Sequence, residues 1–333
     1  MPRAGVVEAR RRAGWGPSLK ITIRKRKRIS RSETFFTSDD AGFLIRLPVF
    51  ALVSLLVPEK RWHGVCHWLE RRKGSPAPAG AAGRDLAAFG VAGAEDRRRI
   101  AATRSEHNIQ IIRERLAGWK PKIELHGLDH LDAARAGGRG AVLWIAHFAF
   151  NALAAKMAFA RAGFDVFHVS RPEHGFSKSR FGMRWLNPIR TGAELKYAAG
   201  RVVIDRANPA ASMNEARRLL RANKFVSITA GAWEGELLVS ARIGQSAVEI
   251  ASGAPRLAKV AGAPLLPVFV GRDDGTGTIK VVVEPPIDLD AHDDKAALIQ
   301  GAAQDFADRH LAYLRAYPHQ WRDWEKLVAL EAP

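Results

Sequence analysis

Short apolar runs alternate with segments of mixed polarity along the second half of the chain. Between the runs, NPAASMNEARRLLRAN has apolar residues at helical spacing, with Asn208 as its predicted N-cap and Pro209 as its first helical residue. Apolar strands that alternate with helices predict an α/β fold with a mostly parallel central sheet flanked by helices. Six runs are the predicted strands: AVLWIA, DVFHVS, RVVID, FVSITA, PLLPVFV and IKVVVEP.

The first part of the chain has a different pattern. An apolar stretch from Ala41 to Val57 precedes Trp62 and Trp68, which stand among lysines and arginines. This combination favours a membrane interface, so residues 41–73 are predicted to be a membrane-associated helical segment. The alternative is a buried helix of a soluble domain. A linker of Gly, Pro and Ala follows over residues 74–86, and the predicted α/β domain occupies residues 87–330.

Positive charge is concentrated at the start of the chain. The formal net charge is +18, and the first 31 residues hold eleven lysines and arginines against one acid, Glu8. Residues 1–40 are therefore predicted to be a basic, disordered tail. The charge favours anionic partners, such as anionic lipid or an acidic protein. Nucleic acid is not expected as a partner, because no aromatic residues are interleaved with the basic run.

Residue types also limit the chemistry. Cys66 is the single cysteine, which excludes an intramolecular disulfide and a cysteine-rich metal site. The histidines lack the spacing of metal ligands, so no metal is expected. His147 directly follows the apolar run AVLWIA, and active sites of open α/β sheets lie beyond the carboxyl ends of strands. His147 is therefore the candidate catalytic residue, against the alternative of a packing or capping histidine.

Several blocks in order carry a resemblance to a known family. From about Trp119 onward, the chain resembles the late acyltransferases of lipid A biosynthesis, the lauroyl and myristoyl transferases, which are related to glycerolipid acyltransferases. The matching blocks are IELHGLDHLDAARAGGRGAVLWIAHFAFN, FHVSRPEH, NEARRLLRANKFVSITAG, SGAPRLAKVAGAPLLPVFV and YPHQWRDWEKL.

The resemblance implies a membrane-associated O-acyltransferase at the cytoplasmic face of the inner membrane. The expected donor is a fatty acyl group on acyl carrier protein or acyl-CoA, the expected acceptor is a hydroxyl of a lipid A precursor or related glycolipid, and no cofactor is expected. In this role His147 is the general base that takes the proton of the attacking hydroxyl. Arg171, in the SRPEH block, is expected to bind the anionic acceptor, and Arg206 to add a second positive group.

The chain departs from the family motif at the acid. The family has a histidine, four residues, and then Asp or Glu, whereas here Ala152 occupies the acid position. Asn151 is a candidate to orient His147, with an ordinary helix N-terminal residue as the alternative. The other candidate acids follow later strands: Asp205 and Glu234.

Glu234 and Gly235 resemble the Glu-Gly block of glycerolipid acyltransferases, and Gly235 and Glu236 are candidates for substrate binding. For the acids, a solvated loop carboxylate is the alternative.

The missing acid leaves a second functional class open. A family member that kept the fold and lost the chemistry would act as a lipid-binding protein. A third hypothesis is acyl transfer to a different lipid, such as a lysophospholipid.

Overall fold

The computed structural model describes residues 21–23, 34–72, 89–91, 93–231, 237–291 and 294–329. A seven-stranded sheet forms its centre. Its strands are β2 (Ile123–His126), β3 (Val142–Ile145), β4 (Val166–Ser170), β5 (Gly200–Val203), β6 (Phe225–Thr229), β9 (Leu265–Arg272) and β10 (Ile279–Val283). Their order across the sheet is β2-β10-β9-β3-β6-β4-β5, and neighbouring strands are parallel except for β9 and β10, which are antiparallel. The six predicted strands and the mostly parallel α/β architecture are thus confirmed.

Helices cover both faces of this sheet. They are α1 (Ser38–Leu56), α2 (Trp62–Arg72), α3 (Ala94–Leu116), α4 (Leu128–Ala136), α5 (Lys156–Arg161), α6 (Asn187–Glu194), α7 (Pro209–Arg221), α8 (Gly253–Ala261) and α9 (Lys295–Ala316). Single π-helical turns, Asn151–Ala155 and Gly182–Leu186, precede α5 and α6. Asn208 caps α7 as predicted, since its side chain accepts a hydrogen bond from the amide of Ala211.

The alternation of side chains along β3 explains why the sheet needs helices on both faces. Val142 and Trp144 belong to one buried apolar cluster, which includes residues of α7, α8 and α9. Leu143 and Ile145 belong to a second cluster, which includes residues of α1, α3 and α5. A strand buried on both faces has an unbroken apolar sequence, which is the pattern that predicted it.

A second, antiparallel sheet was not predicted from the sequence. It has the order β1-β7-β8-β11, with β1 (Ile21–Ile23), β7 (Leu237–Ile243), β8 (Ser246–Ala251) and β11 (Leu327–Ala329). In the predicted tail, residues 1–20 and 24–33 lie outside the described residues, as does the predicted linker, residues 74–86.

The N-terminal helices pack on the α/β domain along α3. A capping box at Thr37 and Asp40 starts α1 three residues before the predicted boundary. Phe43 and Phe50 of α1 are buried, whereas Ile45 and Leu56 are about three-quarters exposed. Among the helices that the structure describes, none is long and apolar enough to cross a membrane.

Candidate active site

A cavity of about 400 Å³ opens beyond the carboxyl ends of the central parallel strands. Ile145 at the end of β3, Ser170 at the end of β4 and Thr229 at the end of β6 line it. The loops that follow parallel strands meet at this edge, which is where α/β sheets place their ligands. His147, two residues after β3, also lines the cavity, so the sheet positions this side chain at its edge.

The C-terminal segment Tyr317–Lys326 runs against the loop that carries His147. The amide of Ala149 donates a hydrogen bond to Gln320 O over 2.7 Å, and the amide of Arg322 donates one to His147 O over 3.1 Å. Phe148 and Trp321 form an isolated antiparallel bridge, and both side chains are fully buried. Residues from the two parts of the chain are therefore held at a fixed register.

Gln320 anchors this segment to the sheet. Its Nε2 donates a hydrogen bond to Arg272 O and its Oε1 accepts one from the amide of Arg272, each over 2.7 Å. Arg272 is the last residue of β9, so the amide extends the hydrogen bonding of that strand. Trp324, also buried, donates from its ring nitrogen to Pro318 O over 2.8 Å.

This arrangement brings a buried carboxylate to His147. The distance between His147 Nδ1 and Asp323 Oδ2 is 3.0 Å. The other oxygen of Asp323 accepts a hydrogen bond from Lys326 Nζ over 2.9 Å. Burial opposes ionisation of this carboxyl, but His147 and Lys326 outweigh it and lower its pKa to about 2. Asp323 is therefore ionised at neutral pH.

An ionised Asp323 fixes the state of the imidazole. Because a carboxylate only accepts hydrogen bonds, the proton of neutral His147 lies on Nδ1, and Nε2 carries the basic lone pair. Burial lowers the pKa of His147, and Asp323 counteracts this by favouring the imidazolium. A buried histidine that is neutral at pH 7 and backed by a carboxylate is the arrangement of a general base.

The residues at the family's acid position have other contacts. Ala152 is buried and lines the cavity without a functional group. Asn151 lines the cavity too, and its Nδ2 donates a hydrogen bond to Ala146 O over 3.0 Å. In this structure, Asp323 rather than Asn151 is bonded to the ring of His147.

The polar part of the cavity is rich in cations. Among the lining residues that the structure describes, none is an aspartate or a glutamate; the cationic ones are Lys156, Arg171, Arg190, Arg256 and Arg322. A buried carboxylate behind the wall, Glu194, accepts hydrogen bonds from Lys156 Nζ over 3.0 Å, His174 Nε2 over 2.9 Å and Arg190 Nε over 2.8 Å. The ion pairs around it lower the pKa of Glu194 well below its usual value, despite burial.

The remaining candidates from the sequence differ in where the structure places them. Arg206 does not line the cavity; its two terminal nitrogens donate to the two oxygens of Glu173 over 2.5 and 2.8 Å. Asp205 accepts a hydrogen bond from the amide of Ala207 in its own loop. Glu234, Gly235 and Glu236 lie outside the described residues. Arg171 lines the cavity.

Asp323 was missed by the sequence analysis, although the block YPHQWRDWEKL that contains it was recognised. Its signal was a carboxylate between two tryptophans, a position where burial is expected. No group of three or more His, Cys, Asp or Glu side chains could hold a metal ion within the part of the chain that the structure describes.

Comparison with known proteins adds a family and one solved structure. Residues 77–322 match the family model described as bacterial lipid A biosynthesis acyltransferase. Among solved structures, the chain is similar to the 1-acyl-sn-glycerophosphate (LPA) acyltransferase PlsC from Thermotoga maritima, at 12% identity and a TM-score of 0.41. The alignment covers 84% of this chain and 99% of that one. No curated protein matches the chain.

Proposed function

The chain belongs to the bacterial lipid A biosynthesis acyltransferases, and we propose that it moves a fatty acyl group from acyl carrier protein or acyl-CoA to a hydroxyl of a lipid A precursor or related glycolipid. His147 is the general base in this proposal, and Asp323 is the positioning acid. The observation that carries it is the 3.0 Å contact between Asp323 and His147, whose side chain lines the cavity.

The proposed reaction uses the basic nitrogen of His147 twice. As the acceptor hydroxyl attacks the thioester carbonyl, its proton moves to Nε2, and Asp323 stabilises the resulting imidazolium through Nδ1–H. Collapse of the tetrahedral intermediate forms the ester and breaks the carbon–sulfur bond. The thiolate then takes the proton from Nε2, which returns His147 to its neutral form. This chemistry needs two substrates and no cofactor.

The lining of the cavity is suited to a substrate with an apolar and an anionic part. Ile204, Met213, Ile228 and Leu237 offer apolar surface for the acyl chain, while arginines such as Arg171 offer charge to an anionic acceptor. An acidic carrier protein and anionic lipids are the partners that the net charge of +18 favours. No nucleic-acid partner is proposed.

Membrane association is proposed through one face of α1. Ile45, Leu52 and Leu56 on this helix are 75%, 58% and 76% exposed. Exposed apolar side chains on one amphipathic helix suit binding in the plane of the membrane interface. The proposed location is the cytoplasmic face of the inner membrane, where acyl carrier protein and lipid precursors meet.

The test is acyl transfer from radiolabelled acyl carrier protein into a bacterial membrane lipid extract. Wild type and His147→Ala are compared, with His126→Ala as the matched control because His126 is an exposed histidine of β2. The proposal expects transfer by wild type and the control, and loss of at least about 10³-fold in His147→Ala. Equal transfer by wild type and His147→Ala would refute His147 as the base.

The same assay separates the alternative function, a lipid-binding protein without chemistry. That function predicts that the wild type binds the extracted lipids but transfers no label from either acyl carrier protein or acyl-CoA. The buried carboxylate at His147 argues against it, because the acid missing at position 152 has a counterpart in Asp323.

A further inference from the structure

The guanidinium of Arg322 lies in the wall of the cavity without a hydrogen-bond partner among the residues that the structure describes. Its main chain is engaged: the amide donates to His147 O, and the carbonyl accepts a hydrogen bond from Arg104 Nη2 over 2.6 Å. The side chain is partly exposed, so an anion can reach it from the cavity. A guanidinium that lines a cavity offers several N–H donors to an anionic group bound there.

The guanidinium groups of Arg190 and Arg104 act electrostatically on Arg322. Burial, together with the charges of Arg190 and Arg104, lowers the pKa of Arg322 to about 10. Two acids act on Arg322 in the opposite direction, and both have other partners: Asp323 is bonded to His147 and Lys326, and Glu325 to Arg104. The cluster therefore holds an excess of positive charge at the cavity.

We propose that Arg322 and Arg190 form a binding site for a phosphate group at the polar end of the cavity. Both side chains line the cavity, and guanidinium groups bind phosphate oxygens through pairs of parallel hydrogen bonds. Two arginines supply the charge that a phosphate carries at neutral pH. The hydrogen bond from the amide of Arg322 to His147 O ties this site to the catalytic base, so the phosphate and the reacting group occupy one cavity.

The identity of the molecule that carries the phosphate rests on the proposed function, whereas the binding of a phosphate group does not. In an acyl transfer, the phosphate belongs either to the lipid acceptor or to the phosphopantetheine arm of the donor. Both present the same chemistry to Arg322, and steady-state kinetics distinguish them. Inorganic phosphate that competes with the acceptor assigns the site to the acceptor, and phosphate that competes with the thioester assigns it to the donor.

The direct test is the thermal stability of the full chain in inorganic phosphate, with sodium chloride at matched ionic strength. A ligand that binds only the folded state raises the melting temperature as its concentration passes the dissociation constant. We expect a saturable rise for wild type and for Arg218→Met, an exposed arginine of α7 that pairs with Glu215. Arg322→Met is expected to weaken phosphate binding at least tenfold. An equal rise in Arg322→Met would overturn the proposal.

A measurement on the unsubstituted protein covers the case in which Arg322→Met does not fold. Phenylglyoxal modifies arginines, and peptide mapping by mass spectrometry gives the extent at each one. We expect phosphate to slow modification of Arg322 several-fold while leaving modification of Arg218 unchanged. Equal modification of Arg322 with and without phosphate would contradict the site.

Failure of the phosphate site and failure of the proposed acyl transfer give different results. If phosphate binds through Arg322 but the protein transfers no acyl group, the proposed function is refuted and the site stands.

Discussion

Asp323 follows His147 by 176 residues in the chain, yet Asp323 Oδ2 lies 3.0 Å from His147 Nδ1. The family's acid position, five residues after the histidine, holds Ala152. The carboxylate that contacts the histidine therefore comes from the C-terminal part of the domain. The contact depends on the hydrogen bonds between residues 147–149 and the C-terminal segment Tyr317–Lys326.

The first prediction concerns Asp323→Asn. An amide keeps the size of the side chain but accepts and donates hydrogen bonds, so it permits the wrong tautomer of His147 and cannot stabilise the imidazolium. We expect kcat for acyl transfer to fall by about 10⁴, the loss known for the same change in a serine-protease triad. Asp290→Asn, at an exposed acid paired with Lys259, is the control and is expected to leave kcat unchanged.

The second prediction is the pH dependence of transfer. His147 acts as a base only when neutral, so the rate is lost as the pH falls through its pKa. Burial holds that pKa below 6.5, with Arg322 and Lys326 adding to the effect against Asp323. We expect kcat/KM to rise with pH to a plateau whose midpoint lies below 6.5. In Asp323→Asn the midpoint moves lower, because the charge that favours the imidazolium is removed; a midpoint that moved upward would contradict the pairing.

The third prediction concerns Ala152→Asp, which restores the residue of the family motif. Since Asp323 already supplies a carboxylate, we expect no gain of transfer when this change is made in the wild type. In the Asp323→Ala background, the same change is expected to raise the rate at least about tenfold, because it supplies a carboxylate at the position that the family motif uses. A large gain in the wild-type background would show that Asp323 does not serve His147.

The sequence predicted the site residues that have a local signal, and it did not predict those that depend on contacts between distant parts of the chain. His147 was predicted because the unbroken apolar run of β3 ends beside it, which is a local signal. Asp323 was not, because its pairing with His147 depends on a bridge between Phe148 and Trp321 that no local pattern encodes. The hairpin of β7 and β8 was likewise missed, although Gly244 with its φ of 63° marks the turn between them.

The fourth prediction tests the exposed face of α1. Replacing Ile45 and Leu52 by Glu removes two apolar side chains, each worth about 1.5–3 kcal/mol of burial, from the proposed membrane surface. We expect binding to vesicles of anionic phospholipid to fall at least tenfold in a sedimentation assay. Val260→Glu, at an exposed apolar residue of α8, is the matched control. Equal binding by the double variant and the control would contradict membrane contact through α1.

The fifth prediction concerns stability around Glu194. Glu194→Ala leaves Lys156 buried without its counter-ion, and we expect a loss of about 3–5 kcal/mol in the free energy of unfolding, measured in urea.

The neighbouring His174 makes the stability of the wild type depend on pH. Burial lowers the pKa of His174 from 6.5 to about 4 in the folded protein. Between these two pH values, His174 is protonated in the unfolded chain and neutral in the folded one. Stability should therefore fall as the pH drops through this window.

A double-mutant cycle in acyl transfer tests the central claim most directly. The four proteins are wild type, His147→Ala, Asp323→Ala and the double variant, assayed with the same radiolabelled donor and lipid extract. If Asp323 acts through His147, the double variant is no slower than His147→Ala alone, since the acid has nothing left to position. If the two losses multiply, so that the double variant is slower than His147→Ala by the full factor of Asp323→Ala, the two residues act independently and the proposed pair is wrong.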